Sequence, residues 1–229
     1  MVDKPARILL KLSGEALKGE DGPFSPVSLQ RICESVASIP IQWAIVVGAG
    51  NLIRGAESPW LDRIEADIMG MLATVLNALA LQSYWVSLGK DVLIQSAVDT
   101  QLTNPISPRE ARAALAEGTI VIFAGGTGSP LVTTDTAAAI RAVSIESDLL
   151  IKGSNVAGVY SGDPSHDPAA QLIQELTYDE FLAQRYGAMD QVAVEICRQH
   201  GMPIEVFHLE QPDALASIAA GKKVGTRIQ

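Results

Sequence analysis

The stretch "FAGGTGSPLVTTDTAA", Phe123 to Ala138, decides how the chain is read. It carries an apolar strand end into a glycine turn and then into the capped start of a helix. Glycines let backbone N–H groups converge, and a helix N-terminus favours an anion. Yet the P-loop pattern G-x-x-x-x-G-K-[ST] is absent, and the next lysine is Lys152. The turn looks built for a phosphate, so the positive charge must come from elsewhere in the chain.

Working outward, the same strand-then-helix unit recurs. TIVIFAG (119–125) is the strand that feeds the quoted turn, and Thr133 or Thr134 caps a helix running through Ala142. ARILLKL (6–12), IQWAIVV (41–47), DVLIQSA (91–97) and DLLIK (148–152) are further short apolar runs. Ser25-Pro26 and Ser107-Pro108 each combine an N-cap serine with proline at the first helical position. A long helix is expected from about Ala66 to Leu88. Near-continuous apolar strands alternating with helices predict a mostly parallel sheet covered on both faces.

After Lys152 the texture changes. NVAGVYSGDP has strand–turn character and SGDPSHDP reads as a loop. Helices from about Tyr178, Asp190 and Pro212 follow, with strands at PIEVFHL (203–209) and KVGTRI. The expectation is one domain over 1–229, with an acceptor half (about 1–150) and a donor half (about 151–229) sharing one sheet across a cleft.

Composition narrows the function. With 229 residues, 48% of them hydrophobic, the chain can bury a substantial core. A formal net charge of −9 argues against a nucleic-acid binder, so an anionic substrate needs a local cluster of cations. Cys33 and Cys197 sit in apolar helical patterns and read as buried free thiols, while His166, His200 and His208 have no metal-ligand spacing. The first residues do not read as a signal peptide, because Asp3 precedes no long apolar run. Ile68 to Leu88 carries no charge, but its Thr, Asn, Gln and Ser residues favour a core and subunit-interface helix over a membrane span. A cytoplasmic protein is expected.

In open α/β sheets ligands sit beyond the carboxyl ends of the strands. Lys11-Leu12-Ser13-Gly14, Gly48-Ala49-Gly50-Asn51 with Arg54, Gly125 to Asp135, and Lys152 all fall there, with Asp163-Pro164 in the loop beyond. Each alone is weak. Together they bring three cations and three glycine turns to one sheet edge, enough to neutralise a triphosphate and an acceptor phosphate. Phosphoryl transfer needs chiefly such positioning and charge. Lys11 and Lys152 also read as lysines snorkelling from strand ends. Asp135 is either a first-turn carboxylate that complements the helix dipole or an orienter of the lysines or Mg²⁺. Asp67 is either a helix cap or an acceptor for a ligand hydroxyl.

In order, RILLKLSGEAL (7–17), VVGAGNLIRG (46–55), ADIMGMLATVLNALAL (66–81), GTGSPLVTTDTAAAIRAVSIESD (126–148), LLIKGSNVAGVYSGDP (149–164) and the pair Met189-Asp190 resemble the bacterial uridylate (UMP) kinases of the amino acid kinase superfamily. The likeness spans essentially the whole chain. It implies a three-layer α/β/α fold and the reaction ATP + UMP → ADP + UDP, in pyrimidine nucleotide biosynthesis, with Mg²⁺ and usually a hexamer. By the same resemblance Lys11, Asp135 and Lys152 form the transfer site, which Asp190 helps to organise. Lys11, Leu12, Ser13, Gly14, Gly50 and Arg54 approach the ATP phosphates, while Ser154, Tyr160 and Asp163 match the base and ribose side. Ala49 and Asp67 adjoin UMP, and Thr127, Gly128, Ser129, Pro130, Leu131, Val132, Thr133 and Thr134 line its site. The metal ligands stay unassigned.

Four departures stand out from that pattern. Ala49 occupies the middle of a usual triple glycine, and Ser129 replaces an asparagine. Asn155 and Ala157 replace a lysine and an aspartate. The effector region of the family carries arginines on and after the long helix; here no Arg lies between Arg63 and Arg109, so weak or absent GTP activation is expected. Carboxylate and carbamate kinases of the superfamily lack the MGMLATVLN and TTDTAA pairing. A non-catalytic nucleotide sensor has no need of Lys11, Asp135 and Lys152 together. A dehydrogenase is excluded because neither Gly48-Ala-Gly50 nor Gly126-Thr-Gly128 completes G-x-G-x-x-G.

Overall fold

A computed structural model describes residues 4–20, 22–53, 60–162, 164, 166–167 and 169–229. Strand β1 (Arg7–Leu12) is followed by a 3₁₀ turn, then α1 (Pro26–Ala37), β2 (Gln42–Val47) and α2 (Arg63–Ser87). Next come β3 (Val92–Ser96), β4 (Asn104–Pro105), α3 (Pro108–Ala116), β5 (Ile120–Ala124), α4 (Thr134–Ser144) and β6 (Leu149–Ser154). The remainder is β7 (Val159–Tyr160), β8 (Leu172–Ile173), β9 (Glu175–Leu176), α5 (Tyr178–Gln184), α6 (Gln191–His200), β10 (Ile204–His208), α7 (Ala214–Ala219) and β11 (Thr226–Ile228).

Among the described residues nine strands form one continuous sheet in the order β4-β3-β5-β2-β1-β6-β10-β11-β9, and β7 pairs with β8 separately. Every neighbouring pair in the large sheet is parallel except β10 with β11. Alternate side chains along each strand enter opposite cores, as the period of two requires. Ile8, Leu10, Leu12, Ile45 and Ile151 pack with α1, α2 and α7. Leu9, Val46, Phe123 and Leu150 pack with α3, α4, α5 and α6. The result is the expected three-layer α/β/α sandwich.

The capping residues act as the sequence requires. Ser25, Ser107 and Thr133 each accept a backbone N–H at the start of α1, α3 and α4. On α1 the i, i+3, i+4, i+7 positions Leu29, Ile32, Cys33 and Val36 are buried. Cys33 and Cys197 are buried free thiols, and burial pushes each up to about 12, which keeps them protonated and unreactive.

One boundary is corrected. Helix α2 starts at Arg63, three residues before the expected Ala66, because Asp62 is its cap and accepts the Ile64 N–H at 2.9 Å. Asp67 is therefore no cap; its carboxylate instead accepts from Arg63 Nε, one turn earlier on α2, at 3.1 Å. Helix α2 is long and apolar enough to cross a membrane by length and mean hydropathy. One side of it is committed to the sheet through Val75, Ala78, Leu81 and Trp85, whose indole N–H donates to Cys33 O at 3.0 Å. The other side leaves Ile68, Leu72 and Leu76 exposed.

Candidate active site

The chain leaves β1 toward one side of the sheet and begins its return on the other with β6, so β1 and β6 flank a topological switch point. In their pairing Lys11 stands opposite Lys152. Being in register, both ammonium groups lie on the face covered by α4. Asp135, in the first turn of α4, meets both: Lys11 Nζ lies 2.8 Å from Oδ1, and Lys152 Nζ donates to Oδ2 at 2.6 Å. All three are almost enclosed by protein.

Burial disfavours the Asp135 carboxylate, but the Lys11 and Lys152 charges and their hydrogen bonds overcome it and hold its pKa at about 2. Lys152 is lowered from the ordinary lysine value by burial and by the Lys11 charge, with Asp135 partly offsetting both. One carboxylate neutralises one of two buried cations, so the trio carries net positive charge at the strand tips. That is the missing positive charge of the quoted turn.

Backbone turns surround this cluster. A Cβ on Gly14 would lie 2.5 Å from Gly50 N and 2.6 Å from Asn51 Oδ1, so only glycine lets the turns after β1 and β2 touch. Gly125 has φ of 75°, and a Cβ there would lie 2.7 Å from Val98 N. Thr133 caps α4 and donates its hydroxyl to Asp190 Oδ2 at 2.6 Å. Asp190 caps α6 by accepting from Val192 N, and its own N–H donates to Asp135 Oδ2 at 3.2 Å. Asp190 is therefore tied to the cluster through Thr133 and its backbone.

Two cavities lie at this edge of the sheet: Lys11 and Lys152 line the larger, and the smaller reaches Thr134, next in sequence to Asp135. The larger, about 610 Å³, is lined by Lys11, Ser13, Lys152, Ser154 and Asn155 together with Arg31, His208 and Glu210. The smaller, about 160 Å³, is lined by Ala49, Gly50, Asp67, Thr74, Ser129, Val132 and Thr134. The expected acceptor residues thus gather only in part. Thr127 buttresses the turn by accepting from Ser129 N at 3.2 Å, and Gly128 packs against Ala97 O. Leu131 is exposed at φ 67°, its N–H donating to Asp67 Oδ2 at 2.9 Å. Pro130 and Thr133 are outside the described lining of that cavity.

On the other side Leu12 points into the core, and only its carbonyl reaches the turns, accepting from Gly48 N at 2.9 Å. Gly14 is buried beneath the turns, and Gly50 lines the smaller cavity in place of the larger one. Tyr160, on β7, is outside the described lining of either cavity. Arg54 and Asp163 lie outside the described residues. Sequence reasoning missed Arg31 on α1, whose guanidinium is 3.0 Å from Glu210, and His208, whose Nδ1 accepts from Glu210 N. No local motif marks them. Thr74 was discoverable, as the one hydroxyl of the MGMLAT segment.

The family model of the amino acid kinase family matches residues 6–208. The chain belongs to this family, in its uridylate kinase branch. It is 44% identical to the uridylate kinase of Ectopseudomonas mendocina over 97% of this chain and 93% of that one. It is 43% identical to the uridylate kinase of Methylococcus capsulatus over 96% and 95%. The solved UMP kinase of Bacillus anthracis matches with a TM-score of 0.94 at 35% identity, covering 98% of this chain and 96% of that one. The UMP kinase of Ureaplasma parvum matches with a TM-score of 0.91 at 33% identity over 97% and 98%.

For a uridylate kinase chain, the departures now have locations. Ala49 is not among the residues with positive φ, so its Cβ is accommodated without strain. Ser129 lines the smaller cavity and Asn155 the larger.

Proposed function

We propose that this chain is a UMP kinase that moves the γ-phosphoryl group of ATP to UMP, giving ADP and UDP, in the cytoplasm as a step of pyrimidine nucleotide biosynthesis. The observation that carries the reading is the Lys11–Asp135–Lys152 trio, whose two lysines line the larger cavity, while Thr134, next to Asp135, lines the smaller. ATP occupies the larger cavity, from the half formed by about 151–229, and UMP the smaller, in the half formed by about 1–150. A phosphate oxygen of UMP attacks the γ-phosphorus while the bond to the β–γ bridging oxygen breaks. The acceptor phosphate is mostly dianionic at neutral pH, so no general base is needed.

Asp135, held ionised down to about pH 2, is too weak a base to take a proton and instead orients the two ammonium groups. Lys11 and Lys152 then stabilise the charge on the moving group. Asp190 and Thr133 brace Asp135. Among the described residues no three acidic, His or Cys side chains cluster, and both Asp135 oxygens face lysines. Mg²⁺ would therefore be held chiefly by the ATP phosphates, and when bound would supply neutralising charge there. The exposed Ile68, Leu72 and Leu76 stripe suits burial against a second copy within a homohexamer. The net charge of −9 argues against nucleic acid, and the sheet-packed side of α2 against a membrane span.

The test is ADP release with ATP–Mg²⁺ and a panel of UMP, CMP, dUMP, aspartate, acetylglutamate and carbamate. Turnover with UMP alone is expected. Turnover with aspartate, acetylglutamate or carbamate would assign the chain to the carboxylate and carbamate kinases. UMP binding without ADP release would make it a sensor.

A further inference from the structure

Three polar side chains on α2, Asp67, Thr74 and Asn77, stand at i, i+7 and i+10 and so share one side of the helix. Together they hold the backbone of two loops, Asp67 and Thr74 that between β5 and α4 and Asn77 the turn after β2. Asp67 accepts from Leu131 N at 2.9 Å. Thr74 Oγ1 accepts from Gly125 N at 2.7 Å, where the acceptor turn begins. Asn77 Nδ2 donates to Gly48 O at 2.7 Å, in the turn after β2.

Thr74 and Asn77 are buried, and their hydrogen-bonding capacity is already committed. The Thr74 hydroxyl donates to Met71 O at 2.7 Å. Asn77 and Asn51 form a reciprocal amide pair, with Nδ2 to Oδ1 distances of 2.8 and 2.9 Å, and Asn51 Nδ2 also donates to Pro23 O at 2.8 Å. All four N–H groups of the two amides are thereby used, so neither has a donor left for a ligand. Their influence on a substrate must pass through the backbone they hold. Because the peptide is planar and trans, fixing Gly48 C=O toward α2 turns the Ala49 N–H away from it. Asn51 is also the side chain that packs against Gly14, so the same amide pair sets the spacing of the turns after β1 and β2.

We infer that Thr74 and Asn77 are positioning residues of the transfer reaction: α2 is a jig in which Thr74 sets the UMP turn through Gly125 and Asn77 sets the phosphate-facing turn through Gly48. The inference rests on the kinase reading above, and the two substitutions separate its parts. A misplacement of about 1 Å at a reacting group costs roughly a hundredfold in rate. Asn77→Ser, which releases Gly48 O, should therefore lower kcat by about tenfold or more with both KM values within about threefold. Thr74→Val keeps the shape but loses the acceptor for Gly125 N, and should raise KM for UMP by about tenfold with kcat within about threefold. Thr74→Ser should restore wild-type KM.

Thermal melts accompany the kinetics. If Asn77→Ser lowers only the melting temperature, with wild-type kcat per folded molecule, the positioning role is wrong. If that variant does not fold, the Thr74 pair decides: a wild-type KM in Thr74→Val, or no restoration by Thr74→Ser, overturns the inference. Calorimetric titration with UMP keeps the two readings apart. Wild type that binds UMP but yields no ADP would sink the kinase reading, while weakened binding in Thr74→Val alone would still support the jig.

Discussion

The two walls of the active site are made differently. Around the larger cavity the work falls to charged side chains at adjacent strand tips, Lys11 and Lys152, clamped by one carboxylate. Around the smaller cavity it falls to backbone turns, Gly48–Asn51 and Gly125–Thr134, held by uncharged side chains of α2 together with Asp67. On the proposed reading, charge is concentrated where electron density moves, and shape is set where the acceptor is chosen. A buried cation strengthens a developing anion far more than a surface one does. A backbone turn, in contrast, discriminates by fit, and losing one side chain that holds it should cost about tenfold, less than losing a charge of the other wall.

The largest effects should follow loss of the charged wall. Lys11→Ala or Lys152→Ala is expected to lower kcat by about 10²–10³-fold, as for other preorganised transition-state donors, with a smaller change in KM. Near-wild-type turnover at saturating substrate would erase the contrast between the walls.

The same wall should dictate the pH dependence. In the proposed mechanism Lys152 works protonated; its pKa is lowered, so kcat/KM for ATP should fall on the alkaline side below the ordinary lysine range. An alkaline limb at or above that range would contradict this. Asp135 acts in the opposite direction. Its folded pKa is depressed to about 2, so its stabilising contribution is complete above its unfolded value near 4 and is lost as pH falls through 2. Asp135→Asn should therefore show a flatter loss of melting temperature over that acid window than the wild type does.

Smaller effects belong to the turn wall. Leu131 is an exposed residue with positive φ, a conformation costing about 1–2 kcal/mol for a side chain with a Cβ. Leu131→Gly removes that strain but raises unfolded-state entropy, so chemical denaturation should show a net change within about 1 kcal/mol. A larger loss would mean that the Leu131 side chain holds the turn, which the contrast denies. The smallest expected effect is none. With no arginine between Arg63 and Arg109, a GTP titration should leave the rate of UDP formation unchanged, and sigmoidal activation would show that the turn wall answers to an effector.

Much of this was legible before any coordinates. Ser25-Pro26 and Ser107-Pro108 announced α1 and α3 because capping is a local matter of one hydroxyl and one fixed φ. Asp62 hid the start of α2, since it lies in the polar run LDRIEAD, where several residues can serve as caps. The facing of Lys11 and Lys152 depends on pairing register between strands 141 positions apart, and local composition carries no register. The Arg31–Glu210 pair and the Asn51–Asn77 pair were invisible for the same reason. The two-residue strands β4, β7, β8 and β9 are too short to show a period at all.

The position of β11 has a consequence for how the chain is made. Residues 226–228 insert between β10 and β9, so Glu175 and Leu176 have no sheet neighbour until Arg227 and Ile228 arrive. On the ribosome, β1 to β6 can assemble the Lys11–Lys152 pairing as soon as residue 154 has emerged. The far edge of the sheet must wait for some seventy residues more. A nascent chain would thus hold Lys11 and Lys152 in place while β10 and β9 still lack the strand that joins them.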